Sequence, residues 1–196
     1  MTEREIEDSR IAEAEEVGRR YERRAGNCAQ CTIAALQEAF DVDNDDVLQA
    51  ASGLAGGVGS THLGTCGALS GGVLVLGQLL GRSRSDFAAD AGTDRSDDSG
   101  SSVSELAGDK DAAYELVERF IAEYGSPICR DVSDRVIGRV ENEEMIRPTS
   151  PVQLALHEKR RVDPYGPDGC PSVVANAARW TGEIIVREGL LETDGT

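Results

Sequence analysis

The chain is predicted to be all-α, a compact bundle of about five to seven helices around a buried central helix near residues 64–81. Three observations carry this. Apolar residues recur at helical spacing in one segment after another, and no segment alternates convincingly with period two. Helix-capping residues and glycine breaks stand between those segments. The most apolar run, inside Gly53–Gly81, is apolar nearly all round, as a buried helix should be.

Residues 3–24 read as an amphipathic helix, with Ile11, Ala14, Gly18 and Tyr21 on one stripe among Glu and Arg. Gly26-Asn27 breaks it. Asn27 then caps CAQCTIAALQEAF, whose core face is Ile33, Leu36, Ala39 and Phe40. Asn44 or Asp45 caps a short helix through Val47, Leu48 and Ala51. Gly53, Gly56, Gly57 and Gly59 make a turn that needs unusual backbone angles or a close approach. From about Gly64 the central helix runs through Leu69, Val73, Leu76 and Leu80, with Cys66 in its first turn, and Gly81 ends it. Gly67, Ser70, Gly71 and Gly72 lower its helix propensity; small residues there leave room for another helix or a cofactor.

Residues 82–110 are rich in Ser, Asp and Gly and read as a flexible acidic insertion. Helical spacing resumes at 111–124, with Tyr114, Val117, Phe120, Ile121 and Tyr124, and Gly125 stops it. Ser126-Pro127 then reads as the N-cap and first position of a helix, which places Cys129 in its first turn. SPVQLALHEKRR is a short helix capped by Ser150, and PYGPDG (164–169) is a turn cluster. Cys170-Pro171 opens the last helix, with Val174, Ala177, Ala178, Thr181, Ile184 and Ile185 as its core stripe. The tail after about 189 is expected to be loose, and residues 1–196 to form a single domain.

The composition narrows the function. Acidic residues number 36 against 20 basic, a net charge of −16. Such a surface repels phosphates, so nucleic-acid binding is not expected. Lys110 and Lys159 are the only lysines. Acid excess with scarce lysine resembles the proteins of salt-loving archaea, and a halophilic protein is expected. The N-terminus is charged from the third residue and lacks the apolar stretch of a signal peptide, so a cytoplasmic location is expected. No run is long and apolar enough for a membrane span.

Five cysteines, Cys28, Cys31, Cys66, Cys129 and Cys170, each fall at or near a predicted helix N-terminus. Free N–H groups and partial positive charge there favour thiolate, the form that attacks disulfides or ligates metal. Cysteines placed only for packing would sit mid-helix. Cys28-Ala29-Gln30-Cys31 is a CxxC, a redox pair or half a zinc site; without a second CxxC, a zinc ribbon does not follow. His62, four residues before Cys66, is a candidate ligand or proton donor, against the competing reading of a polar loop residue. His157 reads as surface. The glycine loop lacks the Lys-Ser/Thr of a phosphate loop and follows no strand, and no G-x-S-x-G elbow is present.

NCAQ (27–30), GGVGSTHLGTCGALSGG (56–72), GSPICRD (125–131) and the late Gly169-Cys170 resemble the C_GCAxxG_C_C family, whose proteins are described as redox-active. This chain reads Cys66-Gly67-Ala68 where the family name spells GCA. The resemblance covers about residues 20–82 and 112–187. It implies a helical fold and four family cysteines at Cys28, Cys66, Cys129 and Cys170, with Cys31 outside the set.

Two classes of function stay open. In the redox reading the four thiols cycle between dithiol and disulfide, as in a thiol-dependent oxidoreductase, with Cys28 or Cys66 attacking; or they hold an iron–sulfur cluster for electron transfer. In the other class they hold zinc or another soft metal without catalysis. A redox partner is implied but not specified, and the apolar helices leave a homodimer open.

Overall fold

The computed structural model describes residues 2–91, 107–138, 166 and 169–190. Among them are eight α-helices and no strand: α1 (Glu3–Arg24), α2 (Cys28–Phe40), α3 (Asp45–Ala50), α4 (Gly67–Leu80), α5 (Arg84–Ala91), α6 (Ala107–Tyr124), α7 (Cys129–Val136) and α8 (Cys170–Arg187). A 3-10 turn, Ala51–Leu54, follows α3. The predicted helix at 150–161, most of the PYGPDG turn and the tail beyond Leu190 lie outside the described residues.

The caps explain most of these boundaries. Thr2 and Glu5 form a capping box at the start of α1. Asn27 accepts the Gln30 N–H at the start of α2, and Asn44 accepts the Val47 N–H at the start of α3. α5 and the first turn of α6 fall inside the stretch read as an insertion. Ser83 and Asp86 start α5 with a reciprocal pair of bonds, the Ser83 N–H to Asp86 and the Asp86 N–H to the Ser83 hydroxyl.

The centre is shared by α2, α4 and α8, each packed on the other two, with α1 against α2 and α8 and with α6 against α4 and α8. α4 is not buried all round: its buried face is Gly67, Ala68, Leu69, Gly71, Gly72, Val75 and Leu76, while Gly77 is exposed. Glycine lets the partners close in. A Cβ on Gly71 would stand 2.6 Å from the Ala29 carbonyl oxygen of α2, and one on Gly72 would stand 2.5 Å from the Thr181 hydroxyl of α8. Phe120, Tyr124 and Trp180 pack together where α6 meets α8. Arginines tie the outside: Arg119 pairs with Glu115 and Glu183, and Arg179 pairs with Glu15 and Glu183.

Two glycines of α4 should therefore respond oppositely to alanine. Gly71→Ala pushes a methyl group against fixed backbone and should cost about 1–3 kcal/mol. Gly77→Ala, with nothing within 4 Å of the new carbon, should gain about 0.5–1 kcal/mol. Denaturant midpoints of the two variants check this, and equal midpoints would refute the close-packing account.

Candidate functional site

Cys28, Cys129 and Cys170 are the first residues of α2, α7 and α8, and Cys66 is the N-cap of α4. All four line one cavity of about 390 Å³, partly open to solvent, together with Glu22, Asn27, Gly56, Ser60, His62, Ser133 and others. Cys31, one turn into α2, is buried but does not line the cavity. All five cysteines are free thiols.

Each thiol is set in place by its local sequence. Gly26, at φ 62°, turns the chain from α1 into α2. The Asn27 side-chain amide then donates to the Ser52 carbonyl, and that of Gln30 to the Leu48 carbonyl. These bonds tie the start of α2 to α3 and the 3-10 turn. Cys66 and Cys129 are positioned by a short zip between two loops. The Cys66 N–H donates to the Pro127 carbonyl at 2.8 Å, the Cys129 N–H to Gly64 at 2.9 Å and the Arg130 N–H to His62 at 3.1 Å, around a single antiparallel bridge from Thr65 to Ile128.

This zip corrects two predicted boundaries. Thr65 and Cys66 are held extended, so α4 begins at Gly67 and not at Gly64, with Cys66 as its cap and not in its first turn. Ser126 and Pro127 do not start α7 as cap and first residue; Ile128 is the N-cap. The Ser126 hydroxyl instead accepts the Ile128 N–H and donates to Asp131.

The loop between Ala55 and Gly64 folds back on itself, with positive φ at Gly56, Gly57, Val58, Gly59, Ser60 and His62. Gly57 is needed for space as well as angle, because a Cβ there would stand 2.7 Å from Cβ of Cys129. The loop brings His62 to the site: its Nδ1 is 3.7 Å from Sγ of Cys129, and the Ser133 hydroxyl is 3.9 Å from the same sulfur. Of the two histidines, His62 thus joins the cysteines, and His157 lies outside the described residues. The glycines after Cys66 are explained by α2: Sγ of Cys28 occupies the place where a Cβ of Gly67 would be.

The electrostatics differ from the sequence expectation. Backbone N–H donors do favour thiolate: Ala29 at the start of α2 and Gly56 of the loop donate to Cys28, and Ala68 at the start of α4 donates to Cys66. Burial outweighs them. It pushes Cys28 up to about 11 and Cys31 and Cys170 up to about 12. Cys66 and Cys129 also rise, chiefly by burial, with the Cys28 thiol the neighbour that most opposes ionisation of Cys66. Among the described residues no Lys or Arg lines the cavity to offset this.

One wall residue was not singled out from sequence. Glu22 is 4 % exposed, and its Oε2 has no hydrogen-bond partner among the described residues. The carboxyl accepts from the Cys31 thiol and the Asn27 backbone N–H, and burial raises it to about 7. Its spacing was the available signal: Ala14, Gly18 and Glu22 repeat every four residues along the buried face of α1.

The site fits an iron–sulfur cluster in donor chemistry, with four thiols facing a shared space. Among the described residues no three Cys, His, Asp or Glu side chains are placed to hold a single metal ion. A lone tetrahedral zinc would require at least three donors to be drawn to one point.

Glu22 also predicts a pH dependence of stability. Its carboxyl is raised in the folded chain, so its stabilising share is complete below the unfolded value near 4.5 and is lost as pH climbs through about 7. The loss approaches about 3 kcal/mol. The wild type, free of metal, should therefore lose stability from about pH 5 to pH 8 relative to Glu22→Gln. Denaturant midpoints of both across that window test this, and parallel curves would contradict it.

A family comparison matches residues 26–184 to the family described as "Putative redox-active protein (C_GCAxxG_C_C)". Comparison with curated proteins and with solved structures gives no match. The matched segment carries all four cavity cysteines and spans well over half of the sequence, and on that ground the chain belongs to the C_GCAxxG_C_C family.

Proposed function

We propose that this protein transfers electrons through an iron–sulfur cluster held by Cys28, Cys66, Cys129 and Cys170. The observation that carries the reading is that four cysteines, each at the start of a different helix, face one cavity of about 390 Å³. Four thiolates are the usual ligand set for such clusters, and the cluster when bound supplies one-electron chemistry. The chain's part is to hold and shield. The starts of α2, α4, α7 and α8 turn N–H groups and partial positive charge toward an anionic centre. Val132, Val173 and Ala68 make part of the wall apolar, which limits water at the sulfurs. Ser133 and His62 stand near enough to the Cys129 sulfur to adjust its charge.

A second reading is supported by one contact. Sγ of Cys28 lies over Gly67, the residue after Cys66, so these two thiols are the natural dithiol/disulfide pair. Against it stands the raised titration of both thiols, since exchange requires thiolate near ambient pH. Non-catalytic zinc binding is the alternative of a different class.

Protein prepared without oxygen separates the three. The cluster reading expects a brown protein with iron and acid-labile sulfide. Serine at Cys28, Cys66, Cys129 or Cys170 should abolish the colour, and Cys31→Ser should keep it. Colourless protein with one zinc per chain would replace the cluster by the zinc reading. Colourless, metal-free protein that reversibly loses two thiols on oxidation would replace it by the disulfide reading.

A further inference from the structure

Glu22 is contributed by α1, outside the segment matched to the family, yet it forms part of the cavity wall with the four cysteines. Nothing among the described residues completes its carboxyl. One set of contacts comes from the Cys31 thiol and the Asn27 N–H, and Oε2 is left buried without a donor. An orphaned buried carboxylate oxygen is costly, and protonation removes that cost.

Cys31 of α2 bonds the carboxyl, and Cys28 of α2 and Cys170 of α8 feel its charge. The other titratable groups lining the same cavity are Cys66 at the start of α4, Cys129 of α7 and His62 of the loop before α4. On α8, Arg179 is engaged outside the cavity by Glu15 and Glu183. Negative charge arriving at the thiols thus meets no fixed cation among the described lining residues. Among the described lining residues it can be balanced only by a group that takes up a proton.

We propose that Glu22 is the proton acceptor coupled to reduction of the four-cysteine site. One electron enters the site from a reduced one-electron carrier of flavin or iron–sulfur type, which is oxidised. Above about pH 7, where the carboxyl is ionised before reduction, one proton moves from water onto Oε2 of Glu22. When the electron leaves to an acceptor, the proton returns to water, so the charge of the cavity is the same in both states. The inference rests on the redox reading above. Burial supports it, because the carboxyl is raised to about 7 and exchanges protons near neutrality.

The test is an anaerobic titration of the whole chain with dithionite and mediators, followed by visible absorbance or by thiol labelling. It is run at about pH 6 and about pH 8, on either side of neutrality. In the wild type the reduction equilibrium should weaken by up to about tenfold between the two, most of it above pH 7, a shift of about 59 mV per tenfold for one electron. Glu22→Gln should be flat, and His62→Gln should keep the wild-type slope. A wild-type slope in Glu22→Gln, or its loss in His62→Gln, overturns the proposal. Redox-difference infrared spectra of the wild type give a second readout that needs no variant. At about pH 8 a carboxylic-acid C=O band should appear on reduction, and its absence there overturns the assignment. A chain with no reversible centre at all would remove the redox reading itself, a result distinct from a reversible centre whose potential ignores pH.

Discussion

The contact on which the site depends is the seating of α4 on the first turn of α2. Gly71 lies against the Ala29 carbonyl, and Gly67 yields its side-chain space to the Cys28 sulfur. Any larger residue at either place would push the two helices apart and part Cys28 from Cys66. Glycine inside a helix costs about 1 kcal/mol relative to alanine. Here that cost is met by the packing of Leu69, Val75 and Leu76 in the common core. Fold and site therefore share one requirement, close approach of α2 and α4, and the motif Cys66-Gly67-Ala68-Leu69-Ser70-Gly71 serves both.

The elements were readable from the sequence wherever a local signal decides. Asn27, Asn44, Gly125 and Gly81 mark ends with their own chemistry, and the α2 segment CAQCTIAALQEAF corresponds residue for residue to the helix. The placement of Cys28 and Cys170 at helix starts follows from the same kind of signal, the Asn27 cap and Pro171. What local reasoning misses is set by partners far along the chain. α4 starts three residues later than expected because residues 64–66 bond to residues 127–129, some sixty positions away, and nothing near Cys66 announces that. The same bonds make Ile128 and not Ser126 the cap of α7. α5 was passed over for another reason: its Ser83–Asp86 capping signal sits in a polar stretch where composition argued for coil.

Within the site, residue type predicted membership better than it predicted state. Cysteines at helix starts were expected to be thiolates, and the helix geometry is as expected. The expectation weighed the partial charge of a helix terminus, worth up to about 2 kcal/mol in favourable cases, without the burial that opposes it. Burial is a property of the assembled core. It cannot be read from Cys66 and its neighbours until α2, α6, α7 and α8 are in place. Glu22 is the same lesson with the sign reversed: in YERR it looks like one more surface charge, and only the packing of α1 on α2 and α8 turns it inward.

These facts together constrain what the cavity is for. Five thiols and one carboxyl are all acidic groups, and all resist ionisation where they stand. A core selected for packing alone would fill such a space with Val or Leu, at a gain of about 1.5–3 kcal/mol per side chain. Removing the acidic groups would also remove the electrostatic burden. In their neutral forms these groups need no counter-charge; once a thiol or the carboxyl ionises, a metal centre or a proton is what can offset the charge. A metal centre lowers the cost of the thiolates, and a proton lowers the cost of Glu22. The two therefore compete through the field they share in one water-poor cavity. A change of charge at the sulfurs must be felt at the carboxyl, which lines the same space with no fixed cation between them among the described residues.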